Sequence, residues 1–102
     1  MRRRRRLESS LRRSCIKWAK KRLWWHKKFK SPGQRSVPDD VFAKHGRIVW
    51  VEFKREGEVP TEDQELEHEE MRSARLTVIV IDTREKFIEY FDAINKELAW
   101  LD

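Results

Sequence analysis

Val37-Pro38-Asp39-Asp40, followed by Ile48-Val49-Trp50-Val51-Glu52-Phe53-Lys54, is the stretch of this 102-residue chain whose reading decides the fold. In the second segment Ile48, Trp50, Glu52 and Lys54 share one strand face and Val49, Val51 and Phe53 the other, because side chains alternate along a strand. Val37 to Ala43 reads as the strand before it, with Pro38 near its start, where a missing N–H is tolerated. Lys44-His45-Gly46-Arg47 reads as the hairpin turn between them, with Gly46 supplying a positive φ. Asp39 and Glu52 are thereby expected on neighbouring strands, and Lys54 lies on the same face as Glu52, about 7 Å further along.

Upstream, Leu7, Leu11, Cys15 and Trp18 fall at steps of four, four and three, the spacing of one helix face, while Lys and Arg fill the other. Residues 1–6, dominated by the run Arg2 to Arg6, read as a basic arm that is disordered without a partner, ahead of a single domain over 7–102. A first strand is expected near Trp25 to Phe29, closed by the turn signal Ser31-Pro32-Gly33-Gln34. Downstream, Thr61-Glu62-Asp63-Gln64 has the form of a capping box opening a helix that runs to about Ser73. Leu76 to Ile81 is almost wholly apolar, as a buried strand is. Asp82-Thr83-Arg84-Glu85 caps a last helix whose Phe87, Tyr90, Phe91, Ile94, Leu98 and Leu101 form one stripe. The order is α-β-β-β-α-β-α, an α/β class with a mixed sheet flanked by helices. The βαβ over 48–81 makes the last two strands parallel, with a right-handed crossover expected.

Composition narrows the chemistry. The net charge of +6 conceals an asymmetry: residues 1–30 carry 14 Lys and Arg against one acid, Glu8, while the later residues are net acidic. A basic segment of this density suits a phosphate backbone, through release of counterions. A solubilising tail, or a face for anionic lipid, is the rival reading. No apolar run reaches the roughly 20 residues that span a bilayer, and no apolar segment follows the basic start as in a secretory signal. With Cys15 as the only cysteine there is no internal disulfide and no cysteine-based zinc cluster, and a reducing, cytoplasmic compartment is the simplest expectation. A domain this small buries only about two-thirds of its unfolded surface, so pairing with a second copy would help it.

Two carboxylates and a lysine in this arrangement suit phosphodiester hydrolysis, which needs a metal to neutralise charge and to lower the pKa of a water. Hard Mg²⁺ or Mn²⁺ takes oxygen ligands, few of them from protein. Asp39 and Glu52 are the candidate ligands, with the carbonyl of Phe53 as a third, and Lys54 can orient or deprotonate the attacking water. Each piece alone is weak: Glu-x-Lys on a strand is commonly a solvated ion pair, and Pro-Asp commonly a turn. Joined by one hairpin they become specific.

Ser31-Pro32-Gly33, Val37-Pro38-Asp39, Val51-Glu52-Phe53-Lys54 and Gln64 together resemble the virus-type replication-repair nuclease domain, VRR-NUC, a branch of the PD-(D/E)xK superfamily. The resemblance covers roughly Leu7 to Thr83. It implies a restriction-endonuclease-like core and a Mg²⁺- or Mn²⁺-dependent endonuclease. It also implies a phage-type protein that works as a homodimer on branched DNA such as Holliday junctions. Residue by residue it implies catalytic roles for Glu8, Asp39 (not Asp40), Glu52, Lys54 and Gln64, with Glu8 a further candidate metal ligand. Arg12, Arg13, Lys28, Lys30 and Arg35 are the candidate DNA contacts. Two departures stand out: Leu23-Trp24-Trp25 replace the glycines usual between first helix and first strand, and Asp40 replaces a basic residue after the Pro-Asp.

Every supporting residue has a plainer rival. Glu8 lies on the apolar side of its helix and could pair with an arginine. Gln64 occupies a capping-box position, which by itself would explain it. His45 and His68 read as surface histidines rather than ligands. The tryptophans could stack bases, although core or interface packing suits most of them, and the last helix with Trp100 is a candidate interface. The competing reading of the whole is a DNA-binding module with a degenerate, non-cleaving site.

Overall fold

The computed structural model describes the backbone of residues 2–30, 33 and 36–102, with side chains from Glu8 onward. Its elements are α1 (Arg2–Lys21), β1 (Trp25–Lys28), β2 (Asp40–Lys44), β3 (Arg47–Phe53), α2 (Glu62–Ser73), β4 (Val78–Ile81) and α3 (Arg84–Leu98), closed by a 3₁₀ turn at Ala99–Leu101. The sheet order is β1-β2-β3-β4, antiparallel except for the parallel β3–β4 pair. This is the α-β-β-β-α-β-α order that the alternation and capping signals predict. Helix α1 runs from Arg2, through the segment read as a basic arm. Arginine is a good helix former and no Gly or Pro interrupts the run.

Alternation in β3 divides the molecule. Val49, Val51 and Phe53 are buried on one face with Phe42 of β2. There they meet Cys15, Trp18 and Ala19 of α1 and Phe87, Phe91, Ile94 and Leu98 of α3, the continuous apolar core. Phe87 and Phe91 stack at 4.2 Å, and Phe42 meets both rings edge-on. Much of the aromatic stripe of α3 is therefore core and not an interface. Trp100, beyond the helix end, stays 80 % exposed. Ile48, Trp50 and Glu52 point to the opposite face, where α2 lies against β4. Helix α2 buries only His68 and Met71.

The turns follow their residues. His45 and Gly46 both take positive φ, 48° and 81°, as a two-residue primed hairpin turn requires. Leu23 sits at φ 69°, in the left-handed position that ends α1 and that glycine normally fills. The backbone thus keeps the turn that the missing glycines would have made, and β1 begins at Trp25.

Candidate active site

The end of β3 and the start of β2 lie side by side. Their register sets Asp40 opposite Val51 and Asp39 next in line beside Glu52. Alternation then sends the two adjacent aspartates to opposite fates. Asp40 turns into the core side, fully buried, where Arg12 grips it through Nε at 2.8 Å and Nη2 at 2.8 Å and His26 Nε2 lies 2.7 Å away. Burial alone would raise the Asp40 pKa, but the hydrogen bonds from His26 and Arg12 and the Arg12 charge hold it below the ordinary value. Asp39 turns outward and is exposed. Arg12, a candidate DNA contact from the sequence, is thereby committed to Asp40 and fastens α1 to β2.

Glu52 is mostly buried, and one carboxylate oxygen, Oε1, is sealed from solvent without a hydrogen-bond partner. Its pKa is pushed up to about 7, first by burial, then by the nearby Asp39, Glu8 and Asp40 carboxylates, against the pull of Lys54. Glu8, two turns down α1 from Cys15, reaches the same end of the sheet. Burial raises its pKa, as do Glu58 and Asp39, while Lys54 and Arg55 oppose. Lys54 is buried, with its backbone N–H bonded to Ile81 O at 2.8 Å. Beside it opens a recess of about 300 Å³ lined by Leu11, Lys54, Arg55, Glu56 and Asp82. Four of the residues singled out in the sequence, Glu8, Asp39, Glu52 and Lys54, thus act on one another electrostatically.

Gln64 stands apart. Thr61 N donates to its Oε1 at 3.0 Å and its own N–H donates to Thr61 Oγ1 at 3.2 Å, a complete capping box. Arg13, Lys28 and Lys30 are exposed, and Arg35 and most of the Ser31–Gln34 turn lie outside the described residues. The reading of His68 as a surface histidine is corrected: it is only 2 % exposed, packed between α2 and the sheet, with Nε2 3.6 Å from Glu52 Oε1. Its spacing of three from Met71 on an otherwise acidic helix was the available signal.

Among the described residues no three His, Cys, Asp or Glu side chains stand close enough to close on one ion. Mg²⁺ and Mn²⁺ do not require that, because hard ions keep several waters and bind through one or two carboxylates. The donor set fits such an ion: Glu52 is a mostly buried carboxylate crowded by Asp39 and Glu8, and a bound cation's charge would offset the crowding that raises its pKa.

No family model matches the sequence. A protein of Acyrthosiphon pisum secondary endosymbiont phage 1, described as "Putative nuclease p44", is 44 % identical over 59 residues, which cover 57 % of this chain and 63 % of that protein. The match therefore spans less than two thirds of the relative's length. A solved structure of a VRR_NUC domain superposes with a TM-score of 0.77 at 22 % identity, over 83 % of this chain and 94 % of that one.

Proposed function

We propose that this chain, which has the VRR-NUC fold, is a divalent-metal-dependent endodeoxyribonuclease, and that it acts on branched DNA as a homodimer. The observation that carries the reading is Glu52, a carboxylate held in a mostly buried position among the Asp39, Glu8 and Asp40 carboxylates with Lys54 beside it. Such an arrangement is costly to a folded protein and marks a functional site. The phage relative's description as a nuclease supports the same chemistry.

Asp39, Glu52 and the Phe53 carbonyl would hold Mg²⁺ or Mn²⁺. When bound, the ion supplies neutralising charge for the phosphate and an acidified water. Lys54 orients the attacking water and stabilises charge developing on the phosphate oxygens. Glu8, which reaches the same end of the sheet, serves as a further ligand to the ion or to one of its waters. The Arg12–Asp40–His26 cluster holds β2 so that Asp39 projects outward. Exposed Arg13, Lys28 and Lys30 supply phosphate contacts. Two symmetric cuts need two sites, and a domain of this size gains stability by pairing, which supports the dimer.

The test is cleavage of labelled linear duplex, single strand, flap and four-way junction with Mg²⁺, Mn²⁺ or EDTA, wild type beside Asp39→Ala. Metal-dependent cutting of branched DNA that disappears in the variant is expected. DNA binding without cutting under any metal would transfer the argument to the non-catalytic binding module.

A further inference from the structure

Among the described residues only two buried side-chain atoms lack a hydrogen-bond partner, Glu52 Oε1 and His68 Nε2, and they belong to a pair 3.6 Å apart. A buried polar atom without a partner destabilises by about 1–3 kcal/mol, so a lone one needs a reason and two facing each other share one. Packing alone does not call for histidine here. His68 and Met71 are the buried residues of α2, and an aliphatic side chain would cover Val78 and Val80 of that sheet face with no polar atom to desolvate. At 3.6 Å the contact is too long for a hydrogen bond. The terminal torsion of a glutamate is soft, however, and a small rotation of the Glu52 carboxylate brings Oε1 within range.

Accordingly, and resting on the metal-site reading above, we propose that His68 is the positioning residue of Glu52. The neutral imidazole donates through Nε2–H to Oε1, holding one carboxylate oxygen on the α2 side and leaving the other for the cation and its water. Such partners of ligating carboxylates fix the ligand's orientation, and their loss typically weakens metal binding by about 10–100-fold. A neutral ring has a single N–H, so the proposal requires it on Nε2.

The test uses the full chain without DNA: Mn²⁺ affinity measured through the electron paramagnetic resonance of free Mn²⁺, with thermal melts, for wild type, His68→Leu, His68→Gln and Glu52→Gln. The expected result is a folded His68→Leu that binds Mn²⁺ about 10–100-fold more weakly, and a His68→Gln, whose amide N–H still reaches, within a few-fold of wild type. Should His68→Leu not fold, His68→Asn, too short to reach Glu52, replaces it. Nitrogen-15 NMR of the wild type should find the His68 proton on Nε2. Undiminished Mn²⁺ affinity in the folded Leu or Asn variant, or a proton on Nδ1, overturns the role of His68 while Glu52→Gln still loses the metal. Undiminished affinity in Glu52→Gln overturns the metal site itself, and the role of His68 with it.

Discussion

Replacing Glu52 with glutamine should make the metal-free protein more stable while abolishing its metal binding. The ionised carboxylate is disfavoured by burial and by Asp39, Glu8 and Asp40, which push its pKa from 4.5 to about 7. Each pKa unit is worth about 1.4 kcal/mol, so at pH 8 the folded state carries about 3 kcal/mol of unfavourable free energy through this one group. The sign follows from the direction: a carboxyl whose folded pKa is raised contributes fully below its unfolded value and loses that contribution as pH rises toward 7. The penalty is a sizeable share of a typical domain's total of about 5–15 kcal/mol. Urea unfolding in EDTA should therefore show wild type weakening between pH 5 and pH 8 more steeply than Glu52→Gln, in which the raised Glu8 remains, and Glu52→Gln up to about 3 kcal/mol more stable at pH 8. Adding Mn²⁺ should stabilise wild type alone, because a ligand bound only by the folded state shifts the equilibrium toward it. A Glu52→Gln protein no more stable than wild type at pH 8 without metal would refute the claim that this carboxylate is held against its electrostatic preference.

Other outcomes follow from particular contacts. Arg12→Ala should destabilise by about 3–5 kcal/mol in denaturant melts, since it strands the buried Asp40; a near-neutral melt with weakened DNA binding would return Arg12 to the phosphate contacts. Leu23→Gly should stabilise by about 1 kcal/mol by relieving the left-handed strain at φ 69°, and an unchanged or lower melting temperature would contradict that strain. Gln64→Glu preserves the capping box and should keep both stability and cleavage; lost cleavage with an intact melt would give Gln64 a role in the site. Lys28→Ala should lower the slope of log affinity against log salt by about one phosphate contact without changing which DNA is preferred.

Local rules made the frame legible. The period-two pattern of Ile48 to Lys54, the turn at His45-Gly46 and the cap at Thr61 each act over a few residues, and each appears where the chain predicts it. The α3 stripe was equally visible, but its destination was not. Periodicity identifies an apolar face without saying what covers it, and here α1 and the sheet cover Phe87, Phe91, Ile94 and Leu98, leaving Trp100 as the part of the candidate interface still exposed. The basic run at Arg2 carries two signals at once, charge density against order and the helix propensity of arginine, along which α1 extends.

At the site, the sequence by itself determined which residues could meet. Asp39 and Glu52 are neighbours through one hairpin, and Lys54 follows two residues on, because strand geometry fixes those spacings whatever surrounds them. Only the tertiary structure decided what each group experiences. That Arg12 reaches Asp40 across 28 positions, that Glu8 adds its charge to Glu52, and that His68 lies buried against Glu52 on the sheet's far face depend on how helices dock on the two faces. Docking is set by the summed burial of many side chains, and no short stretch of sequence encodes it.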